Sequence, residues 1–324
     1  MFRTKVCEIL GIEYPIIQGG MQWLSRAELV AAVSDAGGLG ILVSAMFQDK
    51  EKFREEIKKV KELTDKPFAV NINLFPTLRP VRNEDYIEVM VEEGVKIAET
   101  SGRSPEPLMK MFKEGGIKVI HKVARVRDAR TAERVGVDMV SIVGYEAGGH
   151  PGMENLTTMI QIPLAKKAVN IPVIAGGGIV DGKGFVAALS LGADGVVVGT
   201  RFMLTKECPL HPKTREWLLS AQAQDTKMIL YSIKNAMRAI RNKALEKVEE
   251  LEGRGATLEE LAPVISGERG RVALLEGDVD AGIVSCGEAI GLIDDVPTCK
   301  EVVERIINEA KEIILNRLYP LVSQ

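Results

Sequence analysis

The stretch that most limits how this chain can fold is Pro172–Thr200, PVIAGGGIVDGKGFVAALSLGADGVVVGT. Val173 to Ala175 is a short apolar run that breaks into Gly176, Gly177 and Gly178, and a helical segment follows from about Asp181 to Leu191. A second apolar run, Gly195 to Val198, breaks at Gly199-Thr200. Both runs are short and unalternating, as expected of strands buried on both faces of a parallel sheet. Each ends in glycine where backbone amides would be exposed. Tight strand-to-helix turns use glycine for packing alone, but two adjacent turns of this kind form a cradle for a phosphate. The main chain approaches closely there, and the amides and helix N-terminus favour an anion. In a (β/α)8 barrel the loops after strands seven and eight commonly build that site.

The same alternation runs back to the start of the chain. Strands are expected at Pro15–Gln18, Leu39–Val43, Phe68–Asn73, Val95–Glu99, Ile117–His121 and Met139–Val143, ahead of the two above. Helices are expected between them: from an N-cap at Ser25 to Ala36, at Asp49–Leu63, 83–93, Pro105–Glu114, Arg127–Arg134 and Leu156–Ala168. Eight strands alternating with helices in about 185 residues predict a closed α/β TIM barrel rather than an open sheet. After Arg201 the pattern changes. Residues 209–290 carry helical stretches at Pro212–Gln222, Tyr231–Glu252 and Thr257–Ala262, without a strand–helix repeat or an obvious core of their own. The expected organisation is a barrel over 1–208, completed by a helix at 298–318, with an inserted C-terminal helical cap at 209–290. The apolar segments Trp217-Leu218-Leu219 and Met228–Tyr231 would let the cap cover the barrel mouth or pair two subunits, so a homodimer stays open.

Barrel chemistry sits at strand C-termini. The strand ends here present Gly19-Gly20-Met21, Asn71, Glu99, Lys122, the loop Gly144–Gly152, the Gly176–Gly178 run and Gly199-Thr200. The loop GYEAGGHPG is the most unusual: its Gly148-Gly149 pair can bring amides against a flat ligand, and it delivers His150 to the mouth. A histidine there can donate or accept a proton near neutrality. Of the others, His121 is expected to be structural at the end of strand five, and His211 an ordinary loop residue. Cys7, Cys208, Cys286 and Cys299 have no metal or disulfide spacing, and no metal constellation stands out. There is no G-x-S-x-G elbow, and the glycine run lacks the acidic partner of a dinucleotide fold. A net charge of −3 without a basic stripe gives no reason to expect nucleic acid. With no membrane-length apolar run and no signal-peptide core, the cytoplasm is the default expectation.

With these motifs placed, the chain resembles the flavin-dependent family of nitronate monooxygenases and enoyl-acyl-carrier-protein reductase II. The segments that carry it are YPIIQGGM at 14–21, SDAGGLGIL at 34–42, FAVNINL at 68–74, GYEAGGHPG at 144–152, IPVIAGGGIVDG at 171–182 and GADGVVVGTRF at 192–202. The resemblance implies an FMN-binding (β/α)8 barrel with an added helical region. It places the FMN phosphate between Gly177-Gly178 and Gly199-Thr200, and the ring system near Gly20, Met21 and Asn71. Lys122 and Ala147-Gly148-Gly149 surround that ring, and His150 falls on the family's functional histidine. The segments AMRAIRNKAL (236–245) and EGDVDAGIVSCGEAIGLI (276–293) are more similar to the reductase branch. That branch implies NADH or NADPH as reductant and a 2-enoyl thioester, free or borne on acyl carrier protein, as substrate in fatty acid synthesis. The alternative is oxidation of an alkyl nitronate with dioxygen. Pro151 after the histidine, and the sequence of 209–235, depart from the family pattern.

Overall fold

The computed structural model describes residues 2–75 and 82–322. Eight parallel strands form one sheet: β1 (Ile16–Gln18), β2 (Gly40–Val43), β3 (Phe68–Asn73), β4 (Ile97–Ser101), β5 (Lys118–Val123), β6 (Met139–Val143), β7 (Val173–Gly176) and β8 (Gly195–Val198). Their order is β1-β8-β7-β6-β5-β4-β3-β2. The remaining seam closes where Gln18 N donates to Leu39 O at 2.9 Å and Leu39 N donates to Ile16 O at 2.9 Å. The result is the (β/α)8 barrel that the strand count predicts.

Strand residues alternate between two apolar layers. Ile17, Ile41, Ala69, Ile97, Ile120, Met139, Ile174 and Val197 fill the barrel interior, with Val6, Cys7 and Leu10 joining them. The latter come from α1 (Lys5–Leu10), a helix the sequence reading did not anticipate, which ends at Gly11 with φ 70°. The alternate residues, such as Leu42, Val70, Ala98, Val140, Ala175 and Val196, pack outward against the helices. Burial on both faces explains why β2, β7 and β8 read as unbroken apolar runs.

The surrounding helices are α2 (Ala27–Asp35), α3 (Lys50–Leu63), α4 (Asn83–Glu92), α5 (Met109–Glu114), α6 (Val126–Val135), α7 (Thr158–Ala168) and α8 (Gly182–Ser190). The position after β8 is taken by two elements: the single turn α9 (Thr200–Met203) and, after the cap, α14 (Cys299–Glu312). Thr298 and Glu301 close a capping box at the start of α14, and its buried stripe Val302, Val303, Ile306, Ile307 and Ala310 packs on α8 and α2. Ser25 is not the N-cap of α2. Arg26 holds that position, while the Ser25 hydroxyl is buried and accepts from Met21 N at 2.8 Å. It fixes the turn after β1 instead.

The cap differs from its expected all-helical form. It contains α10 (Pro212–Leu219), an antiparallel hairpin of β9 (Thr226–Ile229) and β10 (Met237–Ile240), α11 (Lys243–Gly253), α12 (Leu258–Ile265) and α13 (Gly267–Leu275). The expected helix Tyr231–Glu252 is thus a turn, a strand and then a helix. Asn242 accounts for the late start, because its side chain accepts from Leu245 N and caps α11. The cap also has an apolar cluster of its own, including Ile229, Met237, Leu245, Val248, Leu251 and Leu261. Leu218 is fully buried in the main core, so the Trp217-Leu218-Leu219 segment does not face the mouth. His211 is more than a loop residue: its ring nitrogen accepts from Lys213 N at the start of α10. Among the described residues no helix is long and apolar enough to cross a membrane.

Candidate active site

One cavity of about 990 Å³ opens at the C-terminal ends of the strands, and His150 lines it together with every residue that the resemblance places around FMN. The paired turn after β7 and β8 forms part of its lining. Gly177 and Gly178 have φ of 103° and 72°, conformations that side-chain-bearing residues adopt only under strain. A Cβ on Gly199 would meet nothing within 4 Å, so this backbone borders open space. Among the described residues the amides of Gly178, Gly199 and Thr200 have no hydrogen-bond acceptor. Unpaired donors around an open concavity suit a phosphate. The Thr200 hydroxyl does a different job, accepting from Gly287 N at 3.1 Å and tying the C-terminal end of the cap to the same turn.

The floor is built from β3, β4 and β5. Asn71 Nδ2 donates to Glu99 Oε2 at 2.6 Å, and Lys122 Nζ lies 3.6 Å from the same oxygen. Glu99 is 1% exposed, and a Cβ added at Gly20 would come 3.4 Å from its carboxylate. The glycine after β1 therefore packs directly against this polar group. Lys122 lies within β5, next to its last residue Val123, and is paired with a buried carboxylate. His121 lies inside the strand rather than at its end. It is buried, and its Nδ1 is 2.8 Å from Thr100 Oγ1.

The loop after β6 is held by contacts that local sequence does not announce. The Glu146 carboxylate accepts from Thr158 N at 3.0 Å, which places an anion at the N-terminus of α7. Gly149 and Arg238 exchange two backbone hydrogen bonds, 3.0 Å and 2.6 Å, so β10 of the cap grips the loop beside His150. The Arg238 side chain is 2% exposed. Its Nε donates to Tyr145 O at 3.0 Å, and its guanidinium carbon sits 4.4 Å from the centre of the Tyr145 ring. Glu288 Oε1 is 3.0 Å from Arg238 Nη2, an ionic contact without hydrogen-bond alignment. A Cβ on Gly148 would lie 2.7 Å from the backbone of Cys286 and Gly287. That glycine thus admits the C-terminal segment to the site. Replacing Arg238 with Met should destabilise the protein by about 1–3 kcal/mol, since it leaves Tyr145 O and Thr226 Oγ1 without their donor. Denaturant unfolding measures the loss, and an effect below about 1 kcal/mol would show that the loop holds its own shape.

His150 projects into the cavity with its ring 5.5 Å from that of Phe75. Although the imidazole is open to the cavity, enclosure by the surrounding protein pushes its pKa down to about 4, and the Lys122 charge adds to the shift. It is neutral at pH 7. Burial does the same to His121, also to about 4. The sign of the stability effect follows from these depressed values. Below pH 6.5 the unfolded chain takes up protons that the folded chain refuses. Stability should therefore fall between about pH 6.5 and pH 4, by roughly 3 kcal/mol for the buried His121. His121→Gln should flatten that part of the pH–stability curve.

Sequence reasoning missed Glu99 as a partner, Glu146, Arg238, Gly287, Phe75 and Trp23. Glu99 was visible as a strand-end residue and Glu146 lay inside the glycine loop. Gly287 and Arg238 reach the site only through the cap, and no spacing rule connects them to it.

The nitronate monooxygenase family model matches residues 3–309. A (3aS,4S,5R,7aS)-5-hydroxy-7a-methyl-1-oxo-octahydro-1H-indene-4-carboxyl-CoA dehydrogenase of Rhodococcus jostii is 33% identical over an alignment of 346 positions, covering 95% of this chain and 96% of that one. A probable nitronate monooxygenase of Staphylococcus saprophyticus is 33% identical over 288 positions, covering 76% and 81%. Among solved structures, FabK from Thermotoga maritima superposes with a TM-score of 0.92 at 37% identity, covering 99% of each chain. A family match from residue 3 to residue 309, on a barrel whose strand-end loops converge on one cavity, shows that the chain belongs to the nitronate monooxygenase family and is an oxidoreductase.

Proposed function

We propose that the protein is an FMN-dependent reductase of 2-enoyl thioesters that uses NADH or NADPH, the activity of an enoyl-acyl-carrier-protein reductase II. The observation that carries this reading is the double lining of the cavity. The glycine turns, Asn71 and Lys122 supply polar groups, and the cap supplies the apolar Leu230, Met237, Ile265 and Ile283. FMN would be held through the free amides of Gly178, Gly199 and Thr200, with Gly20, Met21, Asn71 and Lys122 at its ring. The apolar cap residues suit an acyl chain better than a small alkyl nitronate. The CoA-thioester dehydrogenase and FabK, both aligned over nearly the whole chain, support a thioester substrate.

When bound, FMN supplies a two-electron carrier between the nicotinamide and the enoyl group. Hydride addition at the β-carbon places negative charge on the thioester oxygen, and a proton then adds at the α-carbon. Neutral His150 can offer one ring N–H to that oxygen, an interaction that strengthens as the charge develops. The depressed pKa favours this hydrogen-bonding role over direct proton donation by an imidazolium.

The same neutral imidazole could instead take a proton beside a nitro group, which keeps nitronate oxidation as the second reading. The discriminating experiment follows NADH and NADPH oxidation anaerobically with crotonyl-CoA, beside oxygen uptake with a nitronate and no nicotinamide. Enoyl-dependent nicotinamide oxidation is the expected result. Nitronate-driven oxygen uptake without enoyl turnover would move the protein to the other branch.

A further inference from the structure

Trp23 occupies a backbone conformation that its side chain does not favour. Its φ is 68°, in the left-handed region where a bulky aromatic is an outlier. Among the described residues only Asn155, Leu230 and Lys234 share this feature without being glycine, and Leu230 and Lys234 line the same cavity. Glycine would adopt this turn without strain, so an indole held there points to a role for the ring. The ring bridges the two parts of the molecule. Its Nε1 donates to Gly267 O at 2.9 Å, at the first residue of α13 in the cap. A Cβ on Gly267 would come 3.1 Å from the Gln22 side chain, so the turn after β1 and the start of α13 are in direct contact. On its cavity side Trp23 shares the lining with Leu230, Met237, Ile265, Leu274 and Ile283, all from the cap.

We infer that Trp23 is the specificity-determining wall of an acyl channel between barrel and cap, and that the substrate is a thioester whose apolar chain extends well beyond four carbons. This rests on the thioester reading above. The indole face supplies contact to the distal part of the chain, while a four-carbon acyl group stops short of it. The hydrogen bond to Gly267 ties the edge of the ring to the cap.

The test is calorimetric titration of the FMN-loaded protein with butanoyl-CoA and decanoyl-CoA, saturated ligands that are not turned over. Trp23→Gly relieves the backbone strain, and Trp23→Phe retains a ring while removing the N–H donor. Wild type should bind decanoyl-CoA more tightly than butanoyl-CoA. Trp23→Gly should lose about tenfold for decanoyl-CoA, the effect of one indole face of apolar contact, and less than about twofold for butanoyl-CoA. Trp23→Phe should stay within about threefold for both. Equal weakening at both lengths in Trp23→Gly would mean a general structural role and overturn the proposal, as would no change at either length. Wild type indifferent to chain length would overturn it too. Crotonyl-CoA reduction by wild type is scored separately: length-dependent binding without turnover sinks the reductase reading and leaves the channel standing.

Discussion

Gly199→Val should yield a folded barrel that no longer retains FMN. Gly199 has φ −103° and ψ −75°, and φ there is negative, so a side chain does not face the left-handed penalty. A Cβ at that position points into open space rather than into packed atoms. The isopropyl group would therefore occupy the cradle without disturbing the core. Gly177 and Gly178 are poorer probes, because their left-handed backbone would be strained by any substitution. A phosphate held by the amides of Gly178, Gly199 and Thr200 would lose several hydrogen bonds to a charged group. At about 1.5–3 kcal/mol for each such bond, FMN affinity should fall at least ~100-fold. Fluorescence titration of apoprotein with FMN measures the loss, and circular dichroism melts check that the fold survives. If Gly199→Val binds FMN as wild type does, the phosphate does not sit between these turns.

His150→Ala should lower the turnover of enoyl thioester by about 10²–10³, the loss seen when one preorganised donor to a developing oxyanion is removed. The loss should fall on kcat more than on KM, since the interaction strengthens as negative charge develops. His150→Gln can still offer an N–H and should recover part of the rate. The pH profile adds an independent check. With its pKa pushed below the ordinary histidine value by enclosure and by Lys122, His150 stays neutral at physiological pH. The rate should therefore show no inflection near 6.5 from this residue. A clear inflection there that disappears in His150→Gln would mean that an imidazolium takes part, and the role would become proton donation.

Much of this architecture is readable from local pattern, for a physical reason. Strands buried on both faces are largely apolar, so β2, β7 and β8 announce themselves without neighbours. Turns that bring backbone against a ligand must be glycine-rich, so the cradle at Gly177-Gly178 and Gly199-Thr200 stands out. Barrel topology then puts every strand C-terminus at one mouth, which is why His150, Asn71 and Lys122 meet at one cavity although far apart in sequence. The element ends were less legible. Ser25 was read as a helix cap because its type suits that role, but the turn after β1 uses its hydroxyl first.

The cap is where sequence reasoning stopped. Its second strand, Met237–Ile240, falls inside the expected helix Tyr231–Glu252 because four residues are too short to display a period of two, and its pairing is with Thr226–Ile229 and with the barrel loop. By itself the sequence determined the barrel, the glycine cradle and the loop that carries His150, since each follows from local backbone and burial requirements. Tertiary structure alone decided that Arg238 grips Gly149, that Gly287 docks on Thr200 and that Trp23 reaches Gly267. Those contacts span 87 to 244 positions of chain. They depend on how the cap folds back over the mouth, which no local propensity encodes.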